Sequence, residues 1–228
     1  MLQNQENQEK QATAQIPRGR PCLIDKGRIV KAALDIGVDE LSMHSVARKL
    51  GVSTTALYRH VESRDTLINL CMGELCGRIK VPRSSLEWRE YLWQLGHEFR
   101  RALLTMPGSC TYGFKIGPSI PAVYAIIEGA LSVLVEAGFR HRAAWQAYAL
   151  VIDHAFVLTE RQERFAATLE RQKRTGTGLS QINNNDPAAF PVLAKVMSDV
   201  MPLDFGMTYD SQLGCLLDGI ECGLKKEI

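Results

Sequence analysis

Thr54, Thr55, Tyr58, Arg59 and His60 stand close together in the chain and share one kind of chemistry. Each offers hydrogen-bond donors, and Arg59 adds a planar guanidinium that can bind guanine or phosphate. The hydroxyls, the phenol and the imidazole suit phosphate oxygens. These residues lie on a short helix that Ser53 caps and whose apolar positions are Ala56, Leu57 and Val61. The turn before it, Leu50-Gly51-Val52-Ser53, is the strongest local signal in the chain. Gly51 can reach positive φ to make the corner, Val52 plugs between helices, and Ser53 caps the second helix. Ahead of the turn, Ser42 caps a helix with Val46, Ala47 and Leu50 as its apolar face. Ser45–Val61 therefore reads as helix, tight turn, helix, whose second helix fits the major groove. An ordinary helical hairpin with a polar outer face is the competing reading.

Charge favours the first reading. The 228 residues sum to only +2. Residues 17–64 carry nine Lys or Arg against five Asp or Glu, a net +4, while residues 66–228 carry 17 of each sign. The positive excess thus sits on the helix-turn-helix, which suggests an anionic partner with nucleic acid foremost. Composition, 46% hydrophobic and 23% charged, is that of a globular protein. No apolar run approaches the ~20 residues that span a membrane. Residues 1–15 lack a signal-peptide segment, so a cytoplasmic location is expected.

Catalysis is not expected. There is no P-loop, GxSxG, HExxH or dinucleotide fingerprint. An enzyme would have to use His97, Asp153 and His154, and the adjacent Asp153 and His154 diverge by about 100° on a helix. No CxxC or zinc-spaced cluster appears among the six cysteines, so neither metal nor cofactor is expected. Cys71, Cys76, Cys215 and Cys222 fall in helical patterns and read as small core residues.

The elements that must position these residues are all helical. Residues 1–17 read as a disordered tail, and Pro17-Arg18-Gly19-Arg20-Pro21 as a stiff basic stub. Asp25 starts a helix with Ile29, Ala32, Ala33 and Ile36 on one face, stopped by Gly37. A linker helix spans Ser63–Ile79. Ser84 and Glu87 have capping-box spacing ahead of a stripe from Trp88 to Met106. Helices are expected from Ser119 or Pro121 through Ala137, over His141–Arg171, over Pro187–Asp199, and from Thr208 or Asp210 onward, with a mobile loop at Thr175–Asp186. The expected fold is all-α: a three-helix helix-turn-helix DNA-binding domain at 18–66, then a larger helical bundle at 67–228 for ligand binding and dimerisation.

Three stretches carry a family resemblance: Arg18-Gly19-Arg20-Pro21, Ile29–Leu34, and Ser45–Ser53 with Ala56–Val61. Together they resemble the DNA-binding domain of the tetracycline-repressor (TetR) family over about Arg18–Leu70. Phe205-Gly206 with Leu213–Leu224, and the Gly138-Phe139 turn, resemble the family's C-terminal domain. The resemblance implies a homodimeric, ligand-responsive transcriptional repressor binding a palindromic DNA operator. An activator or a ligand-independent regulator of the same family is the alternative. By position it places Ser42, Thr54, Thr55, Ala56, Tyr58, Arg59, His60 and Arg64 on DNA. His44 falls where some relatives place a base-reading arginine. Arg18 and Arg20 would follow the backbone or enter the minor groove. The family pairs its last long helices, so Ala144, Ala147, Tyr148, Leu213, Leu217 and Ile220 are the implied dimer contacts.

Ligand pockets in helical bundles are mostly apolar with a few polar groups. Expected lining residues are His97, Phe99, Arg100, Phe114, Tyr124, Glu128, Trp145, Asp153, His154 and Phe156. Tetracycline-binding relatives use a metal-ligating histidine on the short helix before the central one and a second histidine at the end of the linker helix. Here the corresponding positions carry Lys115 and Lys80, so another small, partly apolar effector, an antibiotic or a metabolite, is expected. Its binding would swing the linker helix and change the separation of the two DNA-reading heads.

Overall fold

The computed structural model describes residues 24–116, 121–175, 189–201 and 204–223, with backbone alone at 114–116. The tail, Arg18, Arg20, the side chains of Phe114 and Lys115, and nearly all of the 175–186 loop lie outside the described residues. Among those described there are ten α-helices and no strand: α1 (Lys26–Ile36), α2 (Met43–Leu50), α3 (Thr54–Tyr58), α4 (Arg64–Gly77), α5 (Trp88–Leu103), α6 (Ser109–Ile116), α7 (Pro121–Glu136), α8 (His141–Thr175), α9 (Pro191–Val200) and α10 (Phe205–Gly223).

Side chains set the helix starts. Asp25 accepts from the Arg28 amide at 2.8 Å and opens α1. Ser42 and Ser45 accept from each other's amides at 2.9 Å, a reciprocal cap on α2. Gly51, at φ 68°, closes α2 in the left-handed region. Ser53 and Ser63 cap α3 and α4.

Three expectations change here. The Ser84–Glu87 box does not form: α5 starts at Trp88, and Glu87 caps it without a side-chain hydrogen bond. α10 begins at Phe205 because Asp204 Oδ1 accepts from the Gly206 and Met207 amides at 2.8 and 3.0 Å. α9 begins at Pro191, where a proline costs no helical hydrogen bond.

Two apolar clusters organise the helices. One joins α1–α4 around Ile29, Val46, Leu57, Leu67 and Ile68. The other joins α5, α7, α8 and α10 around Tyr91, Leu95, Ala130, Val151, Tyr209 and Leu213. α4 belongs to the first through Leu67–Leu75, and Ile79 just beyond it joins the second. A second joint lies at the α5–α6 turn. Met106 is wholly buried in the N-terminal cluster, and the Val38 amide donates to the Pro107 carbonyl at 2.8 Å. Gly108 is at φ +79°, and a Cβ there would sit 2.7 Å from Asp39 Oδ1, so a side chain at this joint would strain the backbone and displace Asp39.

Candidate functional site

The helix-turn-helix presents its expected groups outward. Ser42, His44, Thr55, Tyr58 and Arg59 are exposed, and Thr54, Ala56 and His60 are half-buried. Leu57, with no exposed surface, fixes α3 by pointing the opposite way into the cluster. Tyr58 is 52% exposed, a large aromatic left in solvent. Arg64 is exposed and also bound to its own domain. Its Nε donates to the Leu41 carbonyl at 2.7 Å and its Nη2 to the Val38 carbonyl at 2.9 Å. Two of its donors therefore hold the α1–α2 loop, which limits what it can offer to DNA.

The larger domain encloses a cavity of about 260 Å³ between α4, α5, α6, α7 and α8. Of the expected lining residues, Phe99, Trp145, Asp153 and Phe156 are there. The others are not. Tyr124 and Glu128 lie exposed on the outer face of α7. His97, Arg100 and His154 instead gather around Tyr209 of α10. The His154 ring stacks on Tyr209 with centroids 4.9 Å apart, His97 meets it edge-on at 5.1 Å, and the Arg100 guanidinium lies 5.0 Å from its centroid. Burial lowers the His154 pKa and outweighs the opposing contact with the Tyr209 carbonyl; the Arg100 charge lowers it further. His97 Nε2 lies 3.4 Å from Asp210. These residues join α5, α8 and α10 and do not face the cavity.

Sequence reasoning missed the contribution of α4: Met72, Leu75, Cys76 and, just past its end, Ile79 all line the cavity. The signal was present, because α4 is apolar on more than one face and must meet two neighbours. Tyr148, expected at a dimer contact, also lines the cavity. Its phenol is pushed up by burial, so at neutral pH it keeps its proton and can donate.

All six expected dimer residues, Ala144, Ala147, Tyr148, Leu213, Leu217 and Ile220, are buried in the core of a single chain, at 5% exposure or less. They have no surface to give a partner. Cys215 and Cys222 are exposed on α10, whereas Cys71 is buried and Cys76 partly so. Cys110, Glu160 and Glu163 bring ligand atoms within 4.8 Å of one another. The two carboxylates already serve the protein: Glu160 accepts from Arg164 at 2.7 Å, and Glu163 from the Gly108 amide at 3.1 Å. Lys80 is exposed and lies outside the cavity lining.

Residues 81–224 match the tetracyclin repressor-like C-terminal domain. The chain belongs to the tetracycline-repressor family. It is 30% identical over 122 residues to an HTH-type transcriptional regulator of Saccharopolyspora erythraea, a match covering 51% of this chain and 52% of that protein. This chain thus spans about half the length of that relative. It is 27% identical to the class D tetracycline repressor of Escherichia coli over 156 residues, 65% of this chain and 71% of the repressor. In fold it is similar to apo ActR from Streptomyces coelicolor, with a TM-score of 0.72 at 21% identity over 92% of this chain and 100% of ActR. It is also similar to the ActR complex with actinorhodin, at TM-score 0.70 and 22% identity over 90% of this chain and 99% of that one. Among the described residues of this TetR-family chain all regular structure is α-helical. No helix among its described residues is long and apolar enough to cross a membrane.

Proposed function

We propose that this regulator is a cytoplasmic repressor that binds a palindromic operator as a homodimer and is released by a small, largely apolar effector. Residues 18–66 would read DNA, and 67–228 would bind the effector and dimerise, with 1–17 as a tail. The observation that carries the reading is that Met72 and Leu75 line the cavity and are also buried in the cluster beneath α1–α3. A molecule that displaced either side chain would disturb the packing that holds the head. Coupling needs no more than such a shared element, biased by whatever occupies the cavity. Thr55, Tyr58 and Arg59 would contact DNA, with Ser42, His44, Thr54, Ala56 and His60 beside them.

The partner face is better supplied by outward residues of the last long helices. Leu150 and Val157 on α8 are 43% and 46% exposed. On α10, Cys215, Gly219 and Cys222 are exposed beside half-buried Leu216, a face of small residues that allows close helix approach. Structures of relatives with bound ligands, ActR with actinorhodin and an Acinetobacter baumannii TetR variant with minocycline, support a small-molecule effector.

A mobility-shift assay with DNA flanking the protein's own gene tests the reading. A discrete shift that salt weakens is expected, together with reduced transcription from a promoter carrying that DNA. Absence of any sequence-preferring shift would sink it, and raised transcription would make the protein an activator.

A further inference from the structure

We infer that the cavity selects a lipophilic cation, with the apolar rings inside and the positive charge at its mouth between Asp153, Trp145 and Tyr148. This rests on the reading of the cavity as the effector site and names the ligand class.

Among the described residues the lining holds no Lys, Arg or His. Its single formal charge is the Asp153 carboxylate. Among the described residues no cation pairs with Asp153, whereas Arg78, Arg89, Arg101 and Arg164 each meet a carboxylate within 3.6 Å. In the single chain Asp153 is exposed at the rim, one turn from Leu150 and from Val157, and open to an incoming charge. Trp145 also stands at the rim, 47% exposed, its ring 5.9 Å from Tyr148 and tilted by 42°. Positions 145, 148, 149, 152, 153 and 156 fall on one face of α8, so the indole, the phenol, the carboxylate and Phe156 approach a guest together. Aromatic faces beside a carboxylate form the arrangement that holds quaternary ammonium groups.

The same lining sorts ligands by charge. A neutral guest gains only apolar burial. An anion meets Asp153 and, among the described lining residues, no cation that offsets it. A cation keeps its charge at the wet rim, where desolvation costs little, and gains both the carboxylate and the ring faces.

The test uses the full chain without DNA and three fused-ring probes of matched shape: 10-methylacridinium, neutral 9-methylanthracene and 9-anthracenecarboxylate. Binding is followed by quenching of tryptophan fluorescence. The cation is expected to bind about tenfold more tightly than the neutral probe, and the anion most weakly. Asp153→Asn, a change at an exposed position, should erase the cation's advantage and leave the neutral probe unaffected. Ala149→Trp, which fills the cavity, should reduce binding of all three. Equal affinities, or a preference that survives in D153N, would overturn the inference while the cavity remains an effector site. Failure of A149W to weaken any probe would overturn the reading of the cavity itself, and the cation inference with it.

Discussion

Arg59 and Arg64 are arginines of the same head with opposite surroundings. Arg59 is exposed and turned away from the cluster, so its guanidinium is free to meet phosphate or a base edge. Arg64 donates to two loop carbonyls. Arg59→Ala is therefore expected to weaken operator binding by about 1–3 kcal/mol with an unchanged melting temperature, read by mobility shift and thermal melting. Arg64→Ala is expected to show as lost stability, about 1–2 kcal/mol, because two carbonyls lose a charged donor. If Arg64→Ala melts like the parent protein and yet loses DNA, its assignment to the loop is wrong. His154 supplies a pH effect at this scale. Its folded pKa is depressed by burial below the ordinary 6.5, so its contribution to stability is present above 6.5. As pH falls through the folded pKa, the unfolded chain has already bound the proton and stability drops. His154→Gln should melt with a shallower loss between pH 7.5 and 5.5 than the parent, because Gln can still meet the Tyr209 carbonyl but does not titrate.

At the scale of elements, the helices whose starts depend on local capping were legible and those governed by tertiary contacts were not. The α2–α3 turn was readable because Gly51, Val52 and Ser53 act within a few residues of one another. α10 was misplaced at its start because the cap is Asp204, ahead of the apolar pattern that marks the helix. The cavity was half legible for a related reason. Phe99, Trp145, Asp153 and Phe156 fall on inward faces of α5 and α8, but no periodicity distinguishes a cavity wall from a core, so His97, Arg100 and His154 looked equally suitable. Their true partner, Tyr209, is 55 residues beyond His154 in sequence. The reciprocal Ser42–Ser45 cap permits a test of the local logic. Ser42→Ala removes the acceptor for the Ser45 amide and should cost about 1 kcal/mol of stability. It should also weaken operator binding, since α2 supports α3; thermal melting and mobility shift, measured together, separate the two effects.

For the whole molecule, the unequal charge of the two domains and the placement of exposed apolar residues lead to one quaternary prediction. A head with a net charge of only +4 offers few phosphate contacts, and pairing two heads doubles them without further basic residues. Pairing also requires a partner face, and soluble monomers rarely leave large contiguous apolar patches open. Leu150 and Val157 stand exposed on one face of α8, two turns apart and pointing away from the core that Val151 and Ala155 occupy. Leu150→Glu would place a charge where the second copy is expected to pack, at a position whose exposure in one chain keeps the fold intact. The variant is expected to sediment as a monomer and to melt at lower temperature, since dimerisation no longer stabilises it. Its operator affinity should fall far more than a single lost contact explains, because one head then binds without the second, and the slope of log affinity against log salt should fall to about half. A variant that remains dimeric with full affinity would move the partner face to α9, whose Val192, Val196 and Val200 are also exposed.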